Sequence, residues 1–278
     1  MTVLTALLQG TKLLEEEAIA APRLTAEVLL THALQRERSY LYAHPEEQLS
    51  EIAWIHYGRY LHERMKGKPT QYITGHQEFY GRDFRVTPDV LIPRPETEHL
   101  VEAAMARIQP RDVVVDVGTG SGAIAISLAL ETTARVFATD ISTTALTVAQ
   151  ANAQQLSAHV GFLACDLVDA FRDHSINVLV SNPPYVPRTD QPSLQREVRD
   201  YEPHVALFAG PTGLEVYEKL IAAAARVLRP HGWLLLELGY NSLDPVRAML
   251  EQGWSDLDVI PDLAGFPRVL AARLLPHP

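Results

Sequence analysis

The chain is poor in several things that would otherwise define its chemistry. It has one cysteine, Cys165, in 278 residues, which excludes an internal disulfide and a cysteine-rich zinc site and fits a reducing cytoplasm. Its eleven histidines show no H-E-x-x-H or similar paired spacing, so they read as scattered surface and core residues and no metal is expected. No apolar run approaches the ~20 residues a membrane helix needs, and no charged segment followed by an apolar one opens the chain. Neither a membrane anchor nor a targeting leader is therefore expected. Positive charge is scarce as well: 24 Lys and Arg face 34 Asp and Glu, for a net charge of -10. That balance argues against a long phosphate-tracking surface and against direct nucleic-acid binding. Internal repeats and low-complexity segments are missing too. What is present is a 47% hydrophobic chain, long enough for one large and one small domain.

Residues 1–75 carry helical spacing. Leu24, Val28 and Leu29 share a face, and Ser50 is placed to cap a helix bearing Trp54, Tyr57, Leu61 and Met65 until Gly67 and Pro69 end it. This stretch is expected to be a helical bundle that grips a partner or substrate. Residues 76–98, rich in Gly, Pro and aromatics, are expected to be a linker with a short hairpin around Phe84 and Val86. Thr97 is placed to cap the amphipathic helix that opens a large domain over 99–278. From Val113 strand and helix signals alternate, which predicts a mostly parallel α/β sheet flanked by helices. Two apolar runs at 257–260 and 268–274, closely spaced, predict an antiparallel closing hairpin.

Two loops at predicted strand ends carry polar chemistry, and strand carboxyl ends are where open α/β sheets put their ligands. The first, Gly118-Thr119-Gly120-Ser121-Gly122, follows the strand Val113-Val114-Val115-Asp116-Val117. Its glycines permit positive φ and close approach to a ligand. Their G-x-G-x-G spacing differs from the G-x-G-x-x-G of dinucleotide binders, so a pyrophosphate is not expected on the helix N-terminus. Asp140 ends the next strand about twenty residues on, where a carboxylate takes ribose hydroxyls. Asp166 and Leu167 end the third, at the height of an adenine amino group and ring face. The second loop is Asn182-Pro183-Pro184-Tyr185. Proline ends the preceding strand, and the loop offers an amide oxygen, donor-free carbonyls and an aromatic wall that suit a planar N–H₂ group. An adenosine pocket without a phosphate cradle, beside acceptors for a planar amine, is what S-adenosylmethionine chemistry requires.

These residues resemble class I S-adenosylmethionine-dependent methyltransferases, whose Rossmann-like sheet matches the predicted order. Gly213-Leu214 shares that resemblance, while the segments Gln71-Tyr72-Ile73, Glu78-Phe79-Tyr80-Gly81 and residues 92–98, together with Glu202-Pro203, Ala206-Leu207 and Gly210, look like the peptide chain release factor glutamine methyltransferases of the HemK/PrmC type. The resemblance implies methylation of the glutamine nitrogen in the Gly-Gly-Gln motif of class 1 release factors, with S-adenosylhomocysteine as product. It implies cofactor contacts at Gly118 to Gly122, Asp140, Asp166, Leu167 and Asn182, and substrate contacts at Asn182, Pro183, Pro184 and Tyr185. One departure is Leu167, where relatives often carry a large aromatic, which implies thinner adenine stacking.

Catalysis is expected to rest on Asn182, Pro183 and Tyr185 orienting the amide, since no Asp or Glu beside the loop in sequence suggests a strong base. Rival substrates are a ribosomal-protein glutamine and an exocyclic base amine in DNA or RNA, which the same loop would hold once flipped out. A non-enzymatic adaptor would need a damaged glycine loop or Asn-Pro-Pro-Tyr, and both are whole.

Overall fold

The computed structural model describes residues 1–276 and divides into two compact units, residues 1–76 with 195–201, and residues 77–194 with 202 onward. The first unit is helical: α1 (Val3–Glu16), α2 (Pro22–Leu34), α3 (Arg38–Ala43), α4 (Glu51–Met65) and α5 (Thr70–Thr74). Ser50 caps α4 through a bond from Ala53 N at 3.2 Å, as its position predicts. Leu14, Leu29, Leu30 and Tyr57 form its fully buried centre. Leu24, expected on the same face as Leu29, is exposed instead. The inward face of α2 carries Ala26, Glu27, Leu29 and Leu30. Glu27 is tolerated there because its carboxylate accepts from Arg23 Nε at 2.7 Å, Arg38 Nε at 2.6 Å and Tyr42 Oη at 2.6 Å.

The stretch at 76–98 is not a detached linker. Its hairpin, β1 (His76–Phe79) and β2 (Arg82–Arg85), turns at Tyr80 and Gly81, both at positive φ, as a two-residue hairpin loop requires. Phe79 and Phe84 meet edge to face at 6.0 Å and are fully buried in the core of the second unit. After a 3₁₀ turn at Pro95–Thr97 comes α6 (Glu98–Met105). Thr97 makes no capping bond to it, because its hydroxyl is engaged elsewhere.

The large unit continues β3 (Val113–Val117), α7 (Ala123–Glu131), β4 (Arg135–Asp140), α8 (Thr143–Gln155), β5 (Val160–Ala164), β6 (Ile176–Ser181) and β7 (Val186–Pro187). The chain then runs α9 (Arg196–Tyr201, part of the first unit) and, again in the large unit, α10 (His204–Leu207), β8 (Phe208–Gly210), α11 (Glu215–Val227), β9 (Leu228–Glu237), α12 (Leu243–Met249), β10 (Trp254–Pro261) and β11 (Pro267–Leu274). Seven strands form one sheet in the order β10-β11-β9-β6-β3-β4-β5. The pairs among β9, β6, β3, β4 and β5 are parallel, and β11 and β10 close it antiparallel. β7 and β8 form a separate parallel pair. As successive strand residues point to opposite faces, Val114 joins the core under α6 and α7 while Val115 joins the core under α11 and α12. β3 is therefore buried at all five positions, which is why it reads as an unbroken apolar run with one acid. The strand order reverses beside β3, and the crevice at such a reversal is where this architecture binds ligands.

Candidate active site

The glycine loop after β3 is held by the end of β4. The Thr139 carbonyl accepts from Gly118 N at 2.9 Å and Thr119 N at 3.0 Å, and Asp140 Oδ2 accepts from Gly120 N at 2.9 Å. Three successive amides are thereby consumed inside the protein, so the loop does not offer a phosphate the nest of free N–H groups that P-loops use. Gly118 and Gly120 have φ of 73° and 54°, and a Cβ at either would meet nothing within 4 Å. Their glycines thus serve the left-handed backbone and keep open space in front of it. Gly122 differs: a Cβ there would lie 2.8 Å from Ile126 Cδ1 and 3.1 Å from Ala149 Cβ, so it serves close helix packing.

Asp116 is fully buried at the base of this loop. Its Oδ2 accepts from Thr119 Oγ1 at 2.6 Å and Ala125 N at 3.2 Å, while Oδ1 has no partner among the described residues. Burial pushes its carboxyl up to about 7 against the opposing pull of those two donors. Asn152, also fully buried, clips the loop to the hairpin: Nδ2 donates to Ser121 O at 2.8 Å and to Arg85 O at 3.0 Å, and Oδ1 accepts from Arg85 N at 2.8 Å.

A cavity of about 270 Å³ opens along the carboxyl ends of β3, β4, β5 and β6. Gly118, Gly120, Asp140, Asp166, Leu167, Pro183 and Pro184 line it. Thr119, Ser121, Gly122, Asn182 and Tyr185 do not, the first two because they are buried and bonded inward. Asp140 keeps capacity for a ligand, since each carboxylate oxygen spends one bond, Oδ1 on Ser142 N at 2.8 Å and Oδ2 on Gly120 N, and has a second lone pair. Leu167 sits at φ 44° with its carbonyl held by Thr139 Oγ1 at 2.7 Å, a strained conformation of the kind that clusters at ligand sites. Beyond the predicted residues, the walls include Val90 and Leu91 on one side and Val205 and Ala206 on the other. Glu202, buried, clamps those segments together through Arg94 and the Ile92 amide. An apolar slot lined by the carboxylates of Asp140 and Asp166 and by Gly118 and Gly120 fits an adenosine-containing cofactor.

The Asn182-to-Tyr185 loop leaves β6 beside this cavity. Ser181 Oγ donates to Val117 O at 2.7 Å and sets the loop's height against β3. Asn182 Nδ2 donates to Thr97 Oγ1 at 3.2 Å. Tyr185 is wedged between two glycines: a Cβ at Gly213 (φ 84°) would lie 2.6 Å from the Tyr185 carbonyl oxygen, and one at Gly239 would lie 2.6 Å from its Cδ2. Desolvation pushes the Tyr185 hydroxyl up to about 12.

The sequence shows no acid near this loop, but the fold brings one. Glu237, at the end of β9, is 1% exposed, and burial raises its carboxyl to about 7 in spite of a hydrogen bond from Thr97 and the nearby charge of Arg268. Glu237 carries no motif of its own, and only the adjacency of β9 to β6 would have pointed to it.

Two family models match the chain: PrmC N-terminal domain over residues 5–75 and Methyltransferase small domain over residues 96–198. A release factor glutamine methyltransferase of Koribacter versatilis is 46% identical, covering 98% of this chain and 99% of its own length. One of Moorella thermoacetica is 44% identical, covering 98% of both. Among solved structures, a methyltransferase from Pyrococcus furiosus superposes with a TM-score of 0.53 at 19% identity, covering 70% of this chain and 90% of its own. That likeness concerns the fold.

Proposed function

The chain belongs to the release factor glutamine methyltransferase family, and from that premise we propose that it moves a methyl group from S-adenosylmethionine to the side-chain amide nitrogen of a release factor glutamine. In class 1 factors this is the glutamine of the Gly-Gly-Gln motif. The observation that supports the reading most is the state of Asn182: its amide nitrogen donates one hydrogen to Thr97, which turns Oδ1 the other way as an acceptor, on a loop whose next residues, Pro183 and Pro184, line the cavity.

Gly118, Gly120, Asp140, Asp166 and Leu167 would hold the cofactor. Bound there, it supplies an electrophilic methyl carbon on a sulfonium. Asn182 Oδ1 and the Pro183 carbonyl accept the two hydrogens of the substrate amide and fix its plane, while the Tyr185 ring packs on its face. A carboxamide nitrogen is a poor nucleophile because its lone pair is delocalised. Orientation and acceptance of the positive charge that develops on nitrogen therefore carry the acceleration. The N–H proton lost on alkylation goes to solvent water, since neither carbonyl acceptor is basic enough to keep it. A release factor substrate places the reaction in the cytoplasm, where a lone thiol stays reduced.

The test is transfer of label from S-adenosylmethionine to four acceptors offered separately: a release factor, the same factor with its motif glutamine replaced, ribosomal protein, and nucleic acid. Label in the first alone is expected. Label in nucleic acid would replace this reading by base methylation, and label in the glutamine-replaced factor would move the acceptor elsewhere.

A further inference from the structure

The cofactor cavity has walls of two kinds. Gly118, Gly120, Asp140, Asp166 and Leu167 stand at the ends of hydrogen-bonded strands. Asp89, Val90 and Leu91 on one side, and Pro203, Val205 and Ala206 on the other, come from segments with little order of their own: residues 86–94 form no helix or strand, and α10 is a single turn. Glu202 joins these two segments. It is the residue at which the chain re-enters the second unit, and its side chain is 1% exposed. Each of its carboxylate oxygens takes one donor from the opposite wall, Oε1 from Arg94 Nη2 and Oε2 from Ile92 N at 3.3 Å. A carboxylate withstands burial only when it is paired and hydrogen-bonded. One directed bond to each oxygen also fixes the register of the two segments, where an apolar contact of the same area would let them slide.

We propose that Glu202 is a positioning residue for cofactor capture: it pins residues 89–92 to residues 203–206 before the cofactor arrives, so that a formed slot is there to be filled. Glu202 does not itself line the cavity, and its effect therefore passes through the walls and not through a contact with the ligand. Val205 is 59% exposed on that wall, an apolar surface that an occupant would cover. With the clamp removed, binding has to order both segments, and the conformational entropy lost comes off the affinity. The inference rests on the reading of this cavity as the cofactor site, so its test separates the two.

Glu202→Ala removes both acceptors, Glu202→Gln keeps the volume and one acceptor oxygen, and Arg94→Gln removes the ion pair while leaving Ile92 bonded. Calorimetric titration with S-adenosylhomocysteine should give an affinity weaker by about 10- to 100-fold in Glu202→Ala, the scale of one charge-assisted hydrogen bond. Glu202→Gln and Arg94→Gln should fall between that variant and wild type. In turnover the loss should appear in KM for S-adenosylmethionine, with kcat at saturating cofactor changed by less than about threefold. Amide hydrogen exchange without ligand reads the walls directly: residues 89–92 and 204–206 should exchange faster in Glu202→Ala than in wild type, and saturating S-adenosylhomocysteine should remove the difference. A lowered melting temperature with wild-type affinity would mean a role in folding alone and would overturn the inference. So would a kcat that falls as far as the affinity, or ligand-free exchange that does not respond to the substitution. Should Glu202→Ala fail to fold, Glu202→Gln and Arg94→Gln decide by the same criteria. Wild-type protein that binds S-adenosylhomocysteine without protecting either segment would defeat the cavity assignment itself, a result distinct from normal protection in wild type with an indifferent Glu202→Ala.

Discussion

Gly239→Ala is the sharpest probe of whether the ring position of Tyr185 matters. Gly239 follows β9, and an ideal Cβ there would stand 2.6 Å from Tyr185 Cδ2, 2.9 Å from Cγ and 3.1 Å from Ser242 Oγ. Carbon atoms pack at about 3.5–4.0 Å, so about 1 Å of displacement is required. The Gly239 backbone is not the part free to give: its amide donates to the Tyr217 hydroxyl at 3.3 Å, and that hydroxyl is tied to Glu237 O. The ring has to move, and with it one wall of the amide pocket. Overpacking of this kind costs about 1–3 kcal/mol of stability, and a reacting group misplaced by 1 Å costs about 10²-fold in rate. Neither residue lines the cofactor cavity, so S-adenosylhomocysteine affinity should be unchanged. Initial rates on a release factor, calorimetric titration with S-adenosylhomocysteine and a melting curve measure the three quantities. A variant with a displaced ring and wild-type turnover would refute the assignment of Tyr185 as the wall of the amide site. If turnover and cofactor affinity fall together, the damage has spread beyond that wall and the reasoning fails as well.

Three further outcomes are expected. Asn182→Ala should lower kcat by about 10²–10³, and activity within about twofold of wild type would remove Asn182 from the mechanism. Asp140→Ala strips an acceptor from Gly120 N and Ser142 N as well as from the proposed ribose. Charge-assisted bonds contribute about 1.5–3 kcal/mol, so calorimetry should show cofactor affinity weaker by roughly one to two orders of magnitude, and unchanged affinity would refute the ribose assignment. Asp116 and Glu237 both titrate near 7 in the folded protein because burial disfavours their charged forms. A raised acid value means that the folded state holds the proton more tightly. The stabilisation is full below the unfolded-state values and is lost as pH rises toward and through about 7. Urea unfolding free energy should fall by a few kcal/mol between pH 5 and 8, and Asp116→Asn should flatten that slope. A free energy that rises over this window would contradict the burial of these acids.

Sequence alone determined the elements whose patterns are local. The five buried positions of β3 read as an apolar run because a central parallel strand meets a core on both faces. The Pro-Pro of 183–184 ends β6 wherever that strand lies, and Asp140 falls at the end of β4 because strand and helix lengths repeat in this architecture. Patterns that depend on partners far along the chain were out of reach. β9 begins at Leu228 although Arg229-Pro230-His231-Gly232 reads as a turn, and the irregular register opposite β6 absorbs that stretch. Thr97 has the spacing of a helix cap, yet its hydroxyl serves Asn182 instead. Residues 195–201 fold with the first unit although they follow β7 in the chain. A side chain's periodicity reports which face of its own strand or helix it occupies. Which strand ends stand side by side is set by the order β9-β6-β3-β4, and that order was decided by packing the whole sheet between its helices. It put a buried acid near Tyr185, on a loop that the sequence had shown without one.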